Sequence, residues 1–205
     1  MWETYRRHCM ECRRCPGLLD SAAYPLFMKW PPKSTELLVI WEAPNRDDTY
    51  NPNKRYITVD SQTDPSGTFF HDLFVHELRL DIQHDLFVTN SVLCLPMRRN
   101  GKHPVTSAQR ENCSERLREL MDLFNPLIVC PLGTQALKAT ALIDDHGFRS
   151  MTAAVATQRS WYGRVLFPLY HTSSQARNPY NGRIEEMQRA DWRKLRTLLD
   201  QIRHR

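Results

Sequence analysis

Apolar residues fall along the chain in short blocks, and the blocks switch between a continuous pattern and a helical one. Leu37-Leu38-Val39-Ile40-Trp41 is an unbroken apolar run, the pattern of a strand buried on both faces. It ends in the polar turn Glu42-Ala43-Pro44-Asn45. Leu86-Phe87-Val88-Thr89-Asn90 reads as a second strand with a polar end, Leu127-Ile128-Val129-Cys130 as a third, and residues 165–170 as a fourth that stops at His171. Between the strands the spacing becomes helical. Phe70, Leu73, Phe74 and Leu78 share one face over residues 68–80, and Leu117, Leu120, Met121 and Phe124 share one over residues 107–124. Further helices are predicted over residues 134–142 and, basic and amphipathic, over 184–203. Strands alternating with helices predict an α/β chain: a three-layer α/β/α sandwich around a central, mainly parallel four-stranded sheet.

The remaining segments read as connections. Residues 1–15 form a helix or an irregular cap. Pro16, Pro25, Pro31 and Pro32 make residues 16–35 an extended connection, because proline removes a donor and disfavours helix before it. Residues 46–66, rich in Asp, Asn, Pro, Thr and Ser, read as a long loop, and long loops in compact domains are usually functional. One domain over 1–205 is expected, with the cysteine-bearing segment 1–35 packed on it.

Composition narrows the class. The chain has 205 residues, 41% hydrophobic and 25% charged, which fits one globular domain and argues against disorder. No run approaches the roughly 18 to 20 apolar residues that cross a bilayer. The first residues, Met1 to Arg7, are not followed by an apolar stretch, which predicts a cytoplasmic protein, and a monomer is expected. A net charge of +5, with arginine pairs at Arg6-Arg7, Arg13-Arg14 and Arg98-Arg99, suits a polyanionic partner, since the guanidinium fork matches phosphate. Arg183, Arg189, Arg193, Lys194 and Arg196 on the terminal helix read as a solvated face. Six cysteines, at 9, 12, 15, 94, 113 and 130, point in such a chain to metal or redox chemistry rather than a disulfide framework. Finally, Glu42, Asn90 and His171 each follow a strand, and ligands of open parallel sheets bind beyond the carboxyl ends of the strands.

Four motifs occur in order: Trp41-Glu42-Ala43-Pro44-Asn45, Thr89-Asn90-x3-Cys94, Val129-Cys130-Pro131-Leu132-Gly133 and His171-Thr172-Ser173-x3-Arg177-Asn178-Pro179. Together with the cysteine spacing, the set resembles the uracil-DNA glycosylase superfamily, most of all its family 4, the iron–sulfur enzymes. The departures are Trp41 and Asn45 in place of glycines, Thr172 in place of proline, and Arg55-Tyr56-Ile57-Thr58 plus an extra stretch over 60–66 in place of R-P-F-V-G.

The resemblance implies a repair enzyme that flips uracil out of DNA and hydrolyses its N-glycosidic bond. By residue, it implies that His171 donates to a uracil oxygen and that Glu42 and Asp48 position water and favour the cationic sugar. Asn90 reads the uracil edge, Tyr56 stacks on the base, and Ala43 and Ser173 complete the base site. The loop from Ser173 wedges into the duplex, with Arg177 on a phosphate or in the vacated space and Gln175 at the orphaned base. It further implies a [4Fe–4S] cluster on Cys12, Cys15, Cys94 and Cys113, with Cys9/Cys12 as the other placement of the first pair and zinc as the other metal. Cys130, inside a strand, reads as a small buried hydrophobe.

A second branch, the X-type enzymes, carries a basic loop whose histidine bonds covalently to DNA. Arg98-Arg99-Asn100-Gly101-Lys102-His103 places His103 four residues before Ser107, as that histidine lies. The plainer reading has Arg98, Arg99, Lys102 and His103 contacting phosphate. Three alternatives therefore stay open: a glycosylase for another base such as hypoxanthine or a mismatched base, a covalent trap through His103, and a zinc-stapled nucleic-acid-binding module.

Overall fold

The computed structural model describes residues 1–15, 24–50, 56–59, 64–180 and 182–204, without the side chains of 47 and 48. Its centre is a sheet of strands β1 (Leu37–Trp41), β2 (Phe87–Asn90), β3 (Ile128–Pro131), β4 (Arg159–Trp161) and β5 (Arg164–Leu166), in the order β2-β1-β3-β5-β4. All neighbours run parallel except β4 and β5. The sheet thus has five strands rather than the expected four. The extra one, β4, is a three-residue edge strand, Arg159-Ser160-Trp161, with only Trp161 buried, so it left no apolar run to read. It turns into β5 through Tyr162 and Gly163, both at positive φ (47° and 68°), the backbone of a tight two-residue hairpin.

Helices cover both faces: α1 (Trp2–Met10), α2 (Arg46–Tyr50), α3 (Pro65–Asp72), α4 (Ser107–Phe124), α5 (Gly133–Ala141), α6 (Met151–Ala154) and α7 (Glu185–Arg203). The central strand shows why its apolar run is unbroken. Leu37 and Val39 face one core, with Phe70, Phe74, Trp192 and Leu195 from α3, the turn after it, and α7. Leu38 and Ile40 face the other, with Tyr5, Leu117, Leu120 and Ala136 from α1, α4 and α5. Cys130 is fully buried in the first core.

Local chemistry sets the ends of these helices. Thr106 and Gln109 form a reciprocal cap at 3.2 and 2.9 Å, which fixes the start of α4, and Asn125 closes it in a left-handed conformation at φ 46°. The helix expected over 68–80 begins earlier, at Pro65, because Asp64 accepts from the Ser66 and Gly67 N–H groups (3.0 and 3.2 Å). It then widens into a π-helical turn, Leu73–Glu77, closed by the Leu78 N–H on the Leu73 carbonyl at 3.1 Å. The expected loop over 46–66 therefore holds α2 and the start of α3.

The basic face of α7 is not merely solvated. Arg189 bonds Asp72 (2.5 Å), Glu77 (3.0 Å) and Glu185 (2.9 Å), and Arg193 reaches Glu77 at 3.1 Å. Arg183 pairs at 2.6 Å with Asp191, which is 1% exposed. Among the described residues no helix is long and apolar enough to cross a membrane.

Candidate active site

Strands β1 and β2 end side by side, with Trp41 in register with Asn90. Just beyond, the Ser91 N–H donates to the Trp41 carbonyl (2.7 Å), and the Ser91 hydroxyl and Val92 N–H donate to the Glu42 carbonyl (2.6 and 3.2 Å). These bonds bring Glu42 and Asn90 out at one edge. The chain after β5 arrives from the other side, where the Gly133 N–H donates to the Leu169 carbonyl (2.8 Å) and His171 follows. The result is a cavity of about 420 Å³ whose wall includes Glu42, Ala43, Asn90, His103 and His171.

The two histidines are held in opposite tautomers. The Ser173 N–H donates to His171 Nδ1 at 3.1 Å, so in the neutral ring the proton lies on Nε2. His103 Nδ1 lies 2.5 Å from the Pro96 carbonyl, which only accepts, so the proton there is on Nδ1 and the neutral form of the ring has its lone pair on Nε2. Burial pushes His171 below its ordinary pKa against the opposing field of Asp64, which favours the neutral donor. Burial pushes the Glu42 carboxyl up, with Arg110 pulling the other way. Arg110 itself is 8% exposed and donates to Gln135 Oε1 (2.5 Å) and Ser107 Oγ (2.9 Å). Asn90 is 2% exposed, and its Oδ1 makes no hydrogen bond among the described residues.

Such a cavity can hold a flat polar ring, donate to an oxygen that gains charge, and hold a water beside a carboxylate. A model of the uracil DNA glycosylase superfamily matches residues 28–196. The chain belongs to this superfamily. No curated protein matches it significantly. Membership makes it a DNA glycosylase in the broad sense, a hydrolase acting on DNA.

Other expected residues of the glycosylase lie elsewhere. Tyr56 is absent from the cavity wall, where Ile57 stands, and its ring lies 5.4 Å from Lys29 Nζ. Ser173 is absent from the wall and touches it through the N–H that it donates to His171 Nδ1. Arg177 is engaged within the protein, 4.5 Å over the Phe69 ring and 3.6 Å from Glu185, while Gln175 is exposed. Arg99 and Lys102 exchange backbone hydrogen bonds (2.7 and 3.0 Å) around Asn100 and Gly101, so the basic loop is a small exposed hairpin. The side chain of Asp48 lies outside the described residues. Sequence reasoning missed Asp64, Ile57 and Arg110. Asp64-Pro65 carried a readable signal, a helix cap followed by proline at the first helical position.

The cysteines divide into two environments. Cys9 is 1% exposed in the core, whereas Cys12, Cys15, Cys94 and Cys113 are half-buried. Cys94 is pushed up to about 12, first by burial and then by Cys113, Cys15, Cys12 and Cys9. Cys113 is pushed up to about 11 by burial, with the Leu93 N–H opposing and Cys15 and Cys12 adding. The four sulfurs thus lie in one another's field, and this donor set fits a thiolate-bound metal group. Among the described residues no group of three or more side chains is already drawn in to hold an ion. The matched region begins after Cys12 and Cys15 and includes Cys94 and Cys113.

Proposed function

We propose that the protein excises uracil from DNA, leaving an abasic site for base-excision repair. The observation that carries this reading is the convergence of Glu42, Asn90 and His171 on one cavity, with a proton on His171 Nε2 and a free acceptor on Asn90. The C1′–N1 bond breaks with its electron pair leaving on uracil, and the His171 N–H bonds the oxygen that gains charge. A water oxygen bonds C1′ and its proton passes to the Glu42 carboxylate. Asn90 Oδ1 accepts from uracil N3–H while its amide N–H groups donate to O4, an arrangement that cytosine mismatches at both atoms. The test is incubation with oligonucleotides carrying uracil, hypoxanthine, xanthine or thymine opposite each base, followed by alkali. Cleavage confined to uracil supports the reading, cleavage at another base reassigns the substrate, and no cleavage refutes hydrolysis.

The bare Nε2 of His103 in the same wall favours a second reading, covalent capture. Nε2 would bond C1′ as uracil departs with the bonding pair, and the alkylated ring would carry the positive charge until Nδ1 loses its proton. A protein–DNA adduct on a denaturing gel, abolished by His103→Ala, separates this from turnover.

We further infer that Cys12, Cys15, Cys94 and Cys113 hold a [4Fe–4S] cluster, which would clamp the segment after α1 to the segment after β2 and to α4. Zinc on the same thiolates is the competing assignment.

A further inference from the structure

A second cavity, of about 300 Å³, opens beside the base pocket and is lined by Arg46, Tyr50, Leu95, Pro96, Met97, Arg98 and His103. It shares Arg46 and His103 with the base pocket, so the two are adjoining compartments of one cleft. Its chemistry differs from that of its neighbour. The base pocket presents a buried amide and the carboxyl groups of Glu42 and Asp64, whereas the second cavity adds Arg98 to the shared Arg46 and sets both beside large exposed apolar groups. Tyr50 is 52% exposed and Met97 50% exposed, so both are open to a ligand from solvent. Arg46 and Tyr50 stand one turn apart on α2, with the guanidinium 6.0 Å from the ring centroid, so a flat π-system and a phosphate-seeking cation are offered together.

We propose that this cavity is a subsite for one flanking nucleotide of the DNA strand, unstacked from its neighbours. Its base lies on Tyr50 and Met97, and its phosphate is held by Arg46 and Arg98. Every base has a π-face, so the subsite requires a base without selecting among the four. A nucleotide enters it only when it is free of its own stack, so the subsite favours single-stranded or frayed DNA. The proposal rests on the reading of the neighbouring cavity as a DNA base pocket, but not on which base that pocket takes.

The test measures equilibrium binding of single-stranded oligonucleotides, with no excision involved. One carries a tetrahydrofuran abasic analogue at its centre, and others carry a second such analogue immediately 5′ or 3′ of it. The wild-type protein is expected to bind the first oligonucleotide roughly tenfold more tightly than one of the doubly abasic two, the scale of a single base–aromatic stack. Tyr50→Ala is expected to erase that ratio, and Tyr50→Phe to keep it. A 2-aminopurine placed on the preferred side should lose fluorescence on binding the wild type and not Tyr50→Ala. Equal wild-type affinity for all three, or a ratio untouched by Tyr50→Ala, overturns the subsite and leaves the base pocket standing. Failure to bind any of the oligonucleotides overturns the DNA reading of both cavities.

Discussion

Gly133 and His171 stand back to back: a β-carbon added to Gly133 would lie 3.2 Å from the His171 Cβ. Gly133 also has φ +84°, a conformation that side chains resist. The glycine that opens α5 therefore sets how closely the histidine strand approaches the sheet.

Gly133→Ala should lower stability by about 1–2 kcal/mol through the left-handed backbone alone. It should also displace His171, so single-turnover cleavage should fall while DNA affinity holds. A denaturant midpoint and a burst measurement on the same preparation check both. Unchanged cleavage in a destabilised variant would show that the contact does not set the ring position.

His171→Ala removes the N–H aimed at the departing base, and the single-turnover rate should drop by about 10²–10³-fold, as for other oxyanion donors. Stability carries a pH signature as well. The folded state holds His171 below its ordinary 6.5. As pH falls through 6.5 the unfolded chain takes up a proton first, and stability declines until the depressed folded value is passed. Wild type should therefore lose stability in mild acid relative to His171→Gln, with no such difference above pH 7.

Glu42→Gln should slow cleavage and leave DNA affinity nearly intact, because its work lies in the transition state. Folding raises the Glu42 carboxyl above its ordinary 4.5. The protonated form is thus the one the fold prefers, and that preference is lost as pH rises through the folded value. The variant should melt higher than wild type at neutral pH, and the gap should close below pH 4.5. Melting curves across pH decide it.

Arg183→Ala strands the buried Asp191 carboxylate, whose remaining cation is Lys194 at 3.9 Å. Urea unfolding should show a loss of about 3 kcal/mol, the lower end for a broken buried pair. Burial raises the Asp191 pKa despite Arg183, so the loss should shrink in acid as the carboxyl protonates.

Anaerobically purified protein should be brown and carry about four irons per chain. Cys94→Ser or Cys113→Ser should yield insoluble or iron-free material, while Cys130→Ser should retain iron. Stoichiometric zinc without iron would instead support the zinc site.

The sequence made some features easy to read and hid others. The runs at 37–41 and 107–124 announced their elements because burial on two faces, or on one helical face, leaves an unambiguous period. The edge strand Arg159–Trp161 did not, since one buried residue makes no pattern. Glu42 and Asn90 were legible as polar groups at strand ends, whereas the strand expected to run to Tyr170 stops at Leu166 and His171 lies five residues past it; the cavity unites all three. Arg110 was not, because a buried arginine inside an amphipathic helix looks like any surface arginine until its partners Gln135 and Ser107 are known. Tyr56 is the nearest aromatic match to the resemblance, offset by one residue, and its neighbour Ile57 is the one that lines the cavity. The arginines of α7 looked solvated because their acidic partners Asp72 and Glu77 lie more than a hundred residues away.

The wide turn at Leu73–Glu77 has a further consequence, one of helical phase. In a regular α-helix, residues five apart point about 140° away from each other. A turn closed between residues five apart returns them to nearly the same side. Asp72 and Glu77 are such a pair, and both meet the single guanidinium of Arg189. One residue of extra circumference thus aims two carboxylates at one arginine. Deleting any residue within the turn would restore the ordinary pitch and rotate one carboxylate out of reach. The fit between this segment and α7 is therefore set by the count of residues as much as by their kind.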